Sequence, residues 1–220
     1  MNKKTWALVT AGFLALIAGG AAAFLLFGSG SDAEPIATTP SAEVISGEFD
    51  PNGNWEISAG SKAGYQVDEI LNGKAVSVVG TTDQVSGKVT VADNLLTVAT
   101  IEVDLASVET DSASRDLYFR NEIMNVDKFP KATFSLTEPV ELANLESGTG
   151  EVNVTGDLTI AGKTLPYGFT LKFFRTEEGI VVTGTTPIKF ADFGIKAPSL
   201  GFVKVDEMGQ IEFNLLLKND

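Results

Sequence analysis

The chain has no cysteine and no histidine, and only three arginines among its 220 residues. Without cysteine there is no disulfide, no thiol nucleophile and no attachment residue for a bacterial lipoprotein's lipid. The usual zinc and haem ligand sets are missing, as are histidine acid–base chemistry and Ser-His-Asp triads. Positive charge is scarce too: 16 Lys plus Arg stand against 29 Asp plus Glu, a net charge of -13. Such a surface repels nucleic-acid phosphates and anionic lipid headgroups. The expectation is a protein without metal, cofactor or nucleic-acid partner, not an enzyme, to which any lipid binds through its apolar part.

What the chain does contain is 44% hydrophobic residues and 22 glycines, a composition suited to strands and tight turns. Asn2-Lys3-Lys4 precedes a charge-free run from Trp6 to Phe27, long enough for a membrane span of ~20 residues with its basic end cytoplasmic. A cleaved signal peptide is the alternative, with Ala21-Ala22-Ala23 as the cleavage site and a secreted product. Phe24-Leu25-Leu26-Phe27 prolongs the apolar run, so an uncleaved signal-anchor over residues 1–28 is the preferred reading. Residues 29–50 hold Pro35, Pro40 and scattered Ser, Thr and acids without period. They read as a flexible linker of roughly 25 Å mean span. Residues 51–220 read as one extracytoplasmic domain.

From Trp55 the pattern has period two. Ala99, Ile101 and Val103 alternate with Thr100, Glu102 and Asp104, and similar runs recur at Phe134–Leu136, Val152–Ile160, Leu165–Phe173 and Ile211–Leu217. Turn signals separate them at Asn72-Gly73, Asp93-Asn94, Ala161-Gly162-Lys163, Glu178-Gly179 and Glu207-Met208-Gly209. Seven or eight such strands make an all-β antiparallel sandwich or barrel.

One stretch breaks this period. Thr110-Asp111-Ser112 supplies helix-capping residues and Phe129-Pro130 a stop, so a short helical insert is expected between them. Leu117, Tyr118 and Met124 are candidates to face a barrel mouth. Arg115 beside Asp116 suggests an ion pair pinning the helix to the rim. The alternative for Arg115 and Arg120 is contact with a phosphate headgroup.

Other signals reduce to structure. Gly162-Lys163-Thr164 has the letters of a phosphate-binding loop, but Asp157 stands where the first glycine belongs and strands flank it, so it reads as a hairpin. Glu102 and Asp104 sit on a strand's polar face, where solvated acids are the rule.

An eight-stranded barrel has an interior only just wide enough to be filled by side chains or to hold one slim ligand. Inward parity selects a candidate lining: Phe134 and Leu136; Val154, Gly156 and Leu158; Tyr167, Phe169, Leu171 and Phe173; Gly184; and Phe213 and Leu215. Small residues at Gly156 and Gly184 leave room for a ligand on this reading, or else mark bends.

Three blocks in order resemble the YceI-like family, lipocalin-like bacterial proteins. They are Arg115-Asp116 with Phe119-Arg120-Asn121, Phe129-Pro130 and Ala132-Thr133-Phe134; then Gly156 to Gly162; then Ile188-Lys189-Phe190-Ala191-Asp192-Phe193-Gly194-Ile195. The resemblance runs from Trp55 to Lys218. It implies a lipocalin-like antiparallel barrel with a long hydrophobic cavity for a polyisoprenoid-type lipid, exported to the cell envelope. Many members carry a histidine near Gly64-Tyr65-Gln66-Val67, absent here. The anchor also departs from the soluble periplasmic members. The expected function is sequestering or carrying an isoprenoid lipid, with a filled, non-catalytic envelope interaction module as the alternative.

Overall fold

The computed structural model describes residues 34–142 and 147–219. The expected membrane-spanning segment lies outside them, and no helix among the described residues is long and apolar enough to cross a membrane. The strands are β1 (Gly53–Ile57), β2 (Lys62–Leu71), β3 (Lys74–Thr82), β4 (Val85–Ala92), β5 (Leu95–Asp104), β6 (Lys131–Leu136), β7 (Val140–Glu141), β8 (Thr149–Ile160), β9 (Lys163–Thr176), β10 (Gly179–Lys189), β11 (Ser199–Leu200) and β12 (Val203–Asn219). All register pairs are antiparallel. The order β1-β4-β5-β6-β8-β9-β10-β12 closes because β1 also pairs β12, through Trp55↔Asn219 and Ile57↔Leu217. This is an eight-strand barrel of lipocalin type. The β2–β3 hairpin extends its wall on the other stretch of β12.

Four hairpin turns fall where their residues require a left-handed backbone. Asn72 and Gly73, Asp93 and Asn94, and Ala161 and Gly162 have φ between 48° and 78°, and Gly179 has φ 144°. Asn, Asp and Gly tolerate this region better than other residues. The turn expected at Glu207-Met208-Gly209 is instead part of one 17-residue strand. Its pairing with β2 shifts between Val205 and Gly209, a bulge that bends β12 without ending it.

The insert forms α1 (Ala113–Tyr118) and continues as a π-helical turn, Phe119–Met124. Ser112 makes no side-chain cap. Asp116 reaches back instead, accepting from the Thr110 N–H (2.9 Å) and hydroxyl (2.8 Å). The helix ends before Phe129-Pro130, because Asn125 adopts φ 49° and its N–H bonds the Arg120 carbonyl. Leu117 faces solvent at 54% exposure, contrary to its expected place at the mouth, because the buried face of the helix is spent on Arg115, Asp116 and Phe119.

Residues 34–50, expected as part of a flexible linker, lie along the barrel wall. The Ile36 N–H donates to Glu212 Oε2 (2.9 Å), the Thr183 hydroxyl to the Thr38 carbonyl (3.0 Å), and the Ile45 N–H to the Arg175 carbonyl (2.8 Å). The Arg175 guanidinium sits 4.8 Å from the Phe49 ring centroid and bonds the Gly47 and Glu48 carbonyls. These polar groups of the wall therefore find partners in a segment that composition alone marks as loose. Phe49→Ala should loosen this strap: a loss of about 1–3 kcal/mol in chemical unfolding, with faster V8-protease cutting at Glu43 and Glu48, is the expected result.

Candidate lipid cavity

A cavity of ≈ 350 Å³ occupies the barrel. Val205 and Leu217, both on β12, both line it. At ~3.3 Å per residue the lining follows that strand for roughly 35–40 Å, so the space is slim and long. Phe49 and Trp55, 6.0 Å apart and tilted at 58°, lie at one end. Val78, Ala197 and Pro198 lie toward the other, beside the helical insert.

Of the residues selected by parity, Phe134, Leu136, Val154 and Leu158 line the cavity, as do Phe169, Leu171, Phe173, Phe213 and Leu215. Three do not. Tyr167 packs on Phe169 (5.7 Å) and Phe193 (6.1 Å), and its hydroxyl donates to the Pro187 carbonyl. It fills a wedge: β9 and β10 pair only from Lys172↔Thr183 to Thr176↔Gly179, and Pro187 has no N–H to extend the ladder. Burial and nearby Asp192 raise the Tyr167 phenol.

Gly156 and Gly184 do not leave open room; aromatic rings fill the place of their missing side chains. A Cβ on Gly184 would meet Phe213 Cζ at 2.4 Å, and one on Gly156 would meet Phe134 Cζ at 2.4 Å. The same holds for Phe173 against Gly150 (2.2 Å) and Tyr65 against Gly80 (2.5 Å). Phe213↔Gly184, Phe173↔Gly150 and Tyr65↔Gly80 are direct cross-strand pairs. Each ring leans onto a glycine on the wall and so takes up less of the lumen. This device is legible in the sequence only when the register is known.

Sequence parity did not select the polar end. Tyr65, Glu69, Arg115 and Tyr118 line the cavity where the insert covers it. Arg115 is 5% exposed. It pairs not with Asp116 but with Asp111 (2.5 Å, one helical turn back), and its Nη2 lies 3.9 Å from Glu69 Oε1. Asp116 is occupied with Thr110. Arg120 is off the cavity and donates to the Ala106 and Val108 carbonyls, tying the insert to the loop after β5. Tyr65 stacks on Phe119 (5.3 Å, 12°). Burial holds the Tyr65 phenol far above its usual range; Arg115 opposes this, and Asp116 and Glu69 add to it. Burial likewise raises the Glu69 carboxyl, opposed by Arg115 and assisted by Asp111. The alternation Tyr65-Val67-Glu69 on β2 was the available signal, an acid where an apolar residue continues the pattern.

An antiparallel barrel with a largely apolar lumen and a buried ionic cluster at its covered end is of the lipocalin-like class. The chain belongs to the YceI-like domain family, which it matches over residues 55–217. It is 31% identical over 143 residues to a UPF0312 protein of Shewanella denitrificans, covering 59% of this chain and 71% of that one. A UPF0312 protein of Vibrio cholerae is 31% identical over 103 residues, and there the chain spans 52% of the relative. Among solved structures, a polyisoprenoid binding domain from Saccharophagus degradans superposes with TM-score 0.61 at 20% identity, covering 76% of this chain and 98% of that one. Burkholderia cenocepacia BcnA superposes with TM-score 0.59 at 22% identity, covering 73% and 98%. At these identities the likeness is one of fold.

Two substitutions test the glycine–aromatic pairs. In Gly184→Ala the three nearest atoms are all in the Phe213 ring, so the ring should swing into the lumen, and lipid loading measured by mass spectrometry should fall several-fold with little change in melting temperature. Gly156→Ala also meets the Ser135 carbonyl at 2.4 Å, backbone that does not yield, and should lose about 1–3 kcal/mol in urea unfolding.

Glu69 makes a pH prediction. Its folded carboxyl holds a proton more tightly than the ordinary value of 4.5. The folded state therefore binds the extra proton in that window, and stability falls as pH rises from 4.5 through the raised value. Glu69→Gln removes this slope. Its melting temperature relative to wild type should climb as pH increases from 4.5; a constant difference would refute the assignment.

Proposed function

We propose that the protein sequesters or carries a long-chain lipid of polyisoprenoid type in the barrel, without catalysing a reaction. The observation that carries this reading is the slim apolar cavity, whose walls offer a hydrocarbon chain close contact and almost no polar competition. Ligand cavities of ≈ 300–1,000 Å³ are the common range, and this space lies within it. The structural neighbour from Saccharophagus degradans, a polyisoprenoid binding domain, supports the same ligand class.

The energetics suit a carrier. Each buried CH₂ is worth ~0.8 kcal/mol whether the chain enters the barrel or a bilayer. Transfer between the two is therefore close to balanced, and loading follows the local supply of lipid. On this proposal residues 1–28 anchor the chain in a membrane, with the barrel on the extracytoplasmic side. Residues 34–50 dock on the barrel wall. The barrel then stays near the lipid pool, which raises effective concentration.

Organic extraction of the purified protein followed by mass spectrometry should reveal a co-purifying isoprenoid lipid. A protein that emerges empty and cannot be loaded from lipid vesicles would defeat the proposal.

A further inference from the structure

We propose that the covered end of the cavity selects a ligand whose head is an uncharged hydroxyl rather than a phosphate. The inference rests on the lipid-carrying reading and specifies which isoprenoid head the same site takes.

Three observations converge. Glu69 lines the cavity, is 3% exposed, and its Oε1 has no hydrogen-bond partner among the described residues. Its ionic contact with Arg115 is 3.9 Å long, too far to satisfy a lone pair. A buried acceptor left in this state is costly, and a ligand that supplies a donor removes that cost.

The second observation is the charge around Arg115. Asp111 holds Nη1 at 2.5 Å and Glu69 faces Nη2. Asp116, 6% exposed, adds a third carboxylate on the same helix. Two acids, Asp111 and Glu69, thus flank the guanidinium. A phosphate brought here would meet the Glu69 carboxylate in apolar surroundings where repulsion is poorly screened. A hydroxyl has no such penalty. It donates to Glu69 when the carboxylate is ionised and accepts from it when protonated.

The third is placement. Tyr65, Val67 and Glu69 share the inward face of β2, with the Tyr65 ring stacked on Phe119. Elsewhere the lumen runs as apolar wall toward Trp55. Among the described lining residues the charged groups are Glu69 and Arg115, so a polar head is placed beside Glu69.

The test uses the full 220-residue chain in detergent solution. It is incubated separately with geranylgeraniol, geranylgeranyl phosphate and phytane, and native mass spectrometry reads the ligand retained. Wild type should retain the alcohol about five- to tenfold better than either other probe. Glu69→Leu should lower alcohol retention by about five- to tenfold and change phytane by less than about twofold. Glu69→Gln, which keeps the shape and removes the charge, should raise retention of the phosphate about tenfold. Near-UV circular dichroism checks that each variant is folded; if Glu69→Leu is not, the Glu69→Gln arm decides. Phosphate retained by wild type as well as the alcohol, or no gain in Glu69→Gln, overturns the proposal. Equal retention of phytane and alcohol sinks the head assignment while leaving lipid carriage standing. Failure of all three probes sinks both.

Discussion

A closed ring of eight strands encloses little more space than its own inward side chains need. The chain has 14 phenylalanines, three of them before Gly28, and the barrel places several of the others inward. An open lumen therefore depends on where those rings go. Phe213, Phe173 and Tyr65 lie against glycines directly across the ladder, and Phe134 against a diagonal one. Because a glycine has no Cβ, the ring fits into the wall's own thickness. The hydrophobic surface that closes the barrel is thereby also the surface that lines a ligand channel.

The insert solves a second problem. β3 pairs only with β2 among the strands, and one isolated bridge, Thr81↔Glu109, ties it to the segment after β5. Phe119 and Tyr118 cover that side from α1 and its π-turn, packing against Leu105, Val108 and the Val67–Val78 cluster. Polar contacts fix the insert in place: Asp116 on Thr110, Arg120 on two carbonyls, and Arg115 between Asp111 and Glu69. Burying such charges does little for stability by itself. Their effect is to give one end of an otherwise oily space a defined polarity.

Several features were readable from residue order. The period-two runs assigned β5, β6, β8 and β9 and their inward faces, because a strand exposes alternate side chains to alternate sides. The Asn-Gly, Asp-Asn and Ala-Gly turns were readable because they demand positive φ. Asp111 read as a helix cap and Arg115 beside Asp116 as an ion pair, whereas Arg115 pairs with Asp111. Asp116 lies next to Arg115 in the chain and so projects from a different side of the helix, whereas Asp111 is one turn away and faces it. Residues 34–50 misled for a related reason. Their composition is that of a linker, and Glu212, Thr183, Asn214 and Arg175, far off in sequence, hold them to the wall.

Residue order alone determined an acidic, cysteine-free and histidine-free all-β chain with one helical interruption, since hydrophobic period, turn chemistry and composition are local properties. Tertiary structure decided whether the barrel would be filled or hollow. That outcome turns on which glycine stands opposite which ring, a matter of strand register set by contacts between distant segments. It also decided that Glu69, an ordinary acid by sequence, faces inward with its Oε1 lacking a hydrogen bond among the described residues, because only the closed wall and the covering insert remove it from water.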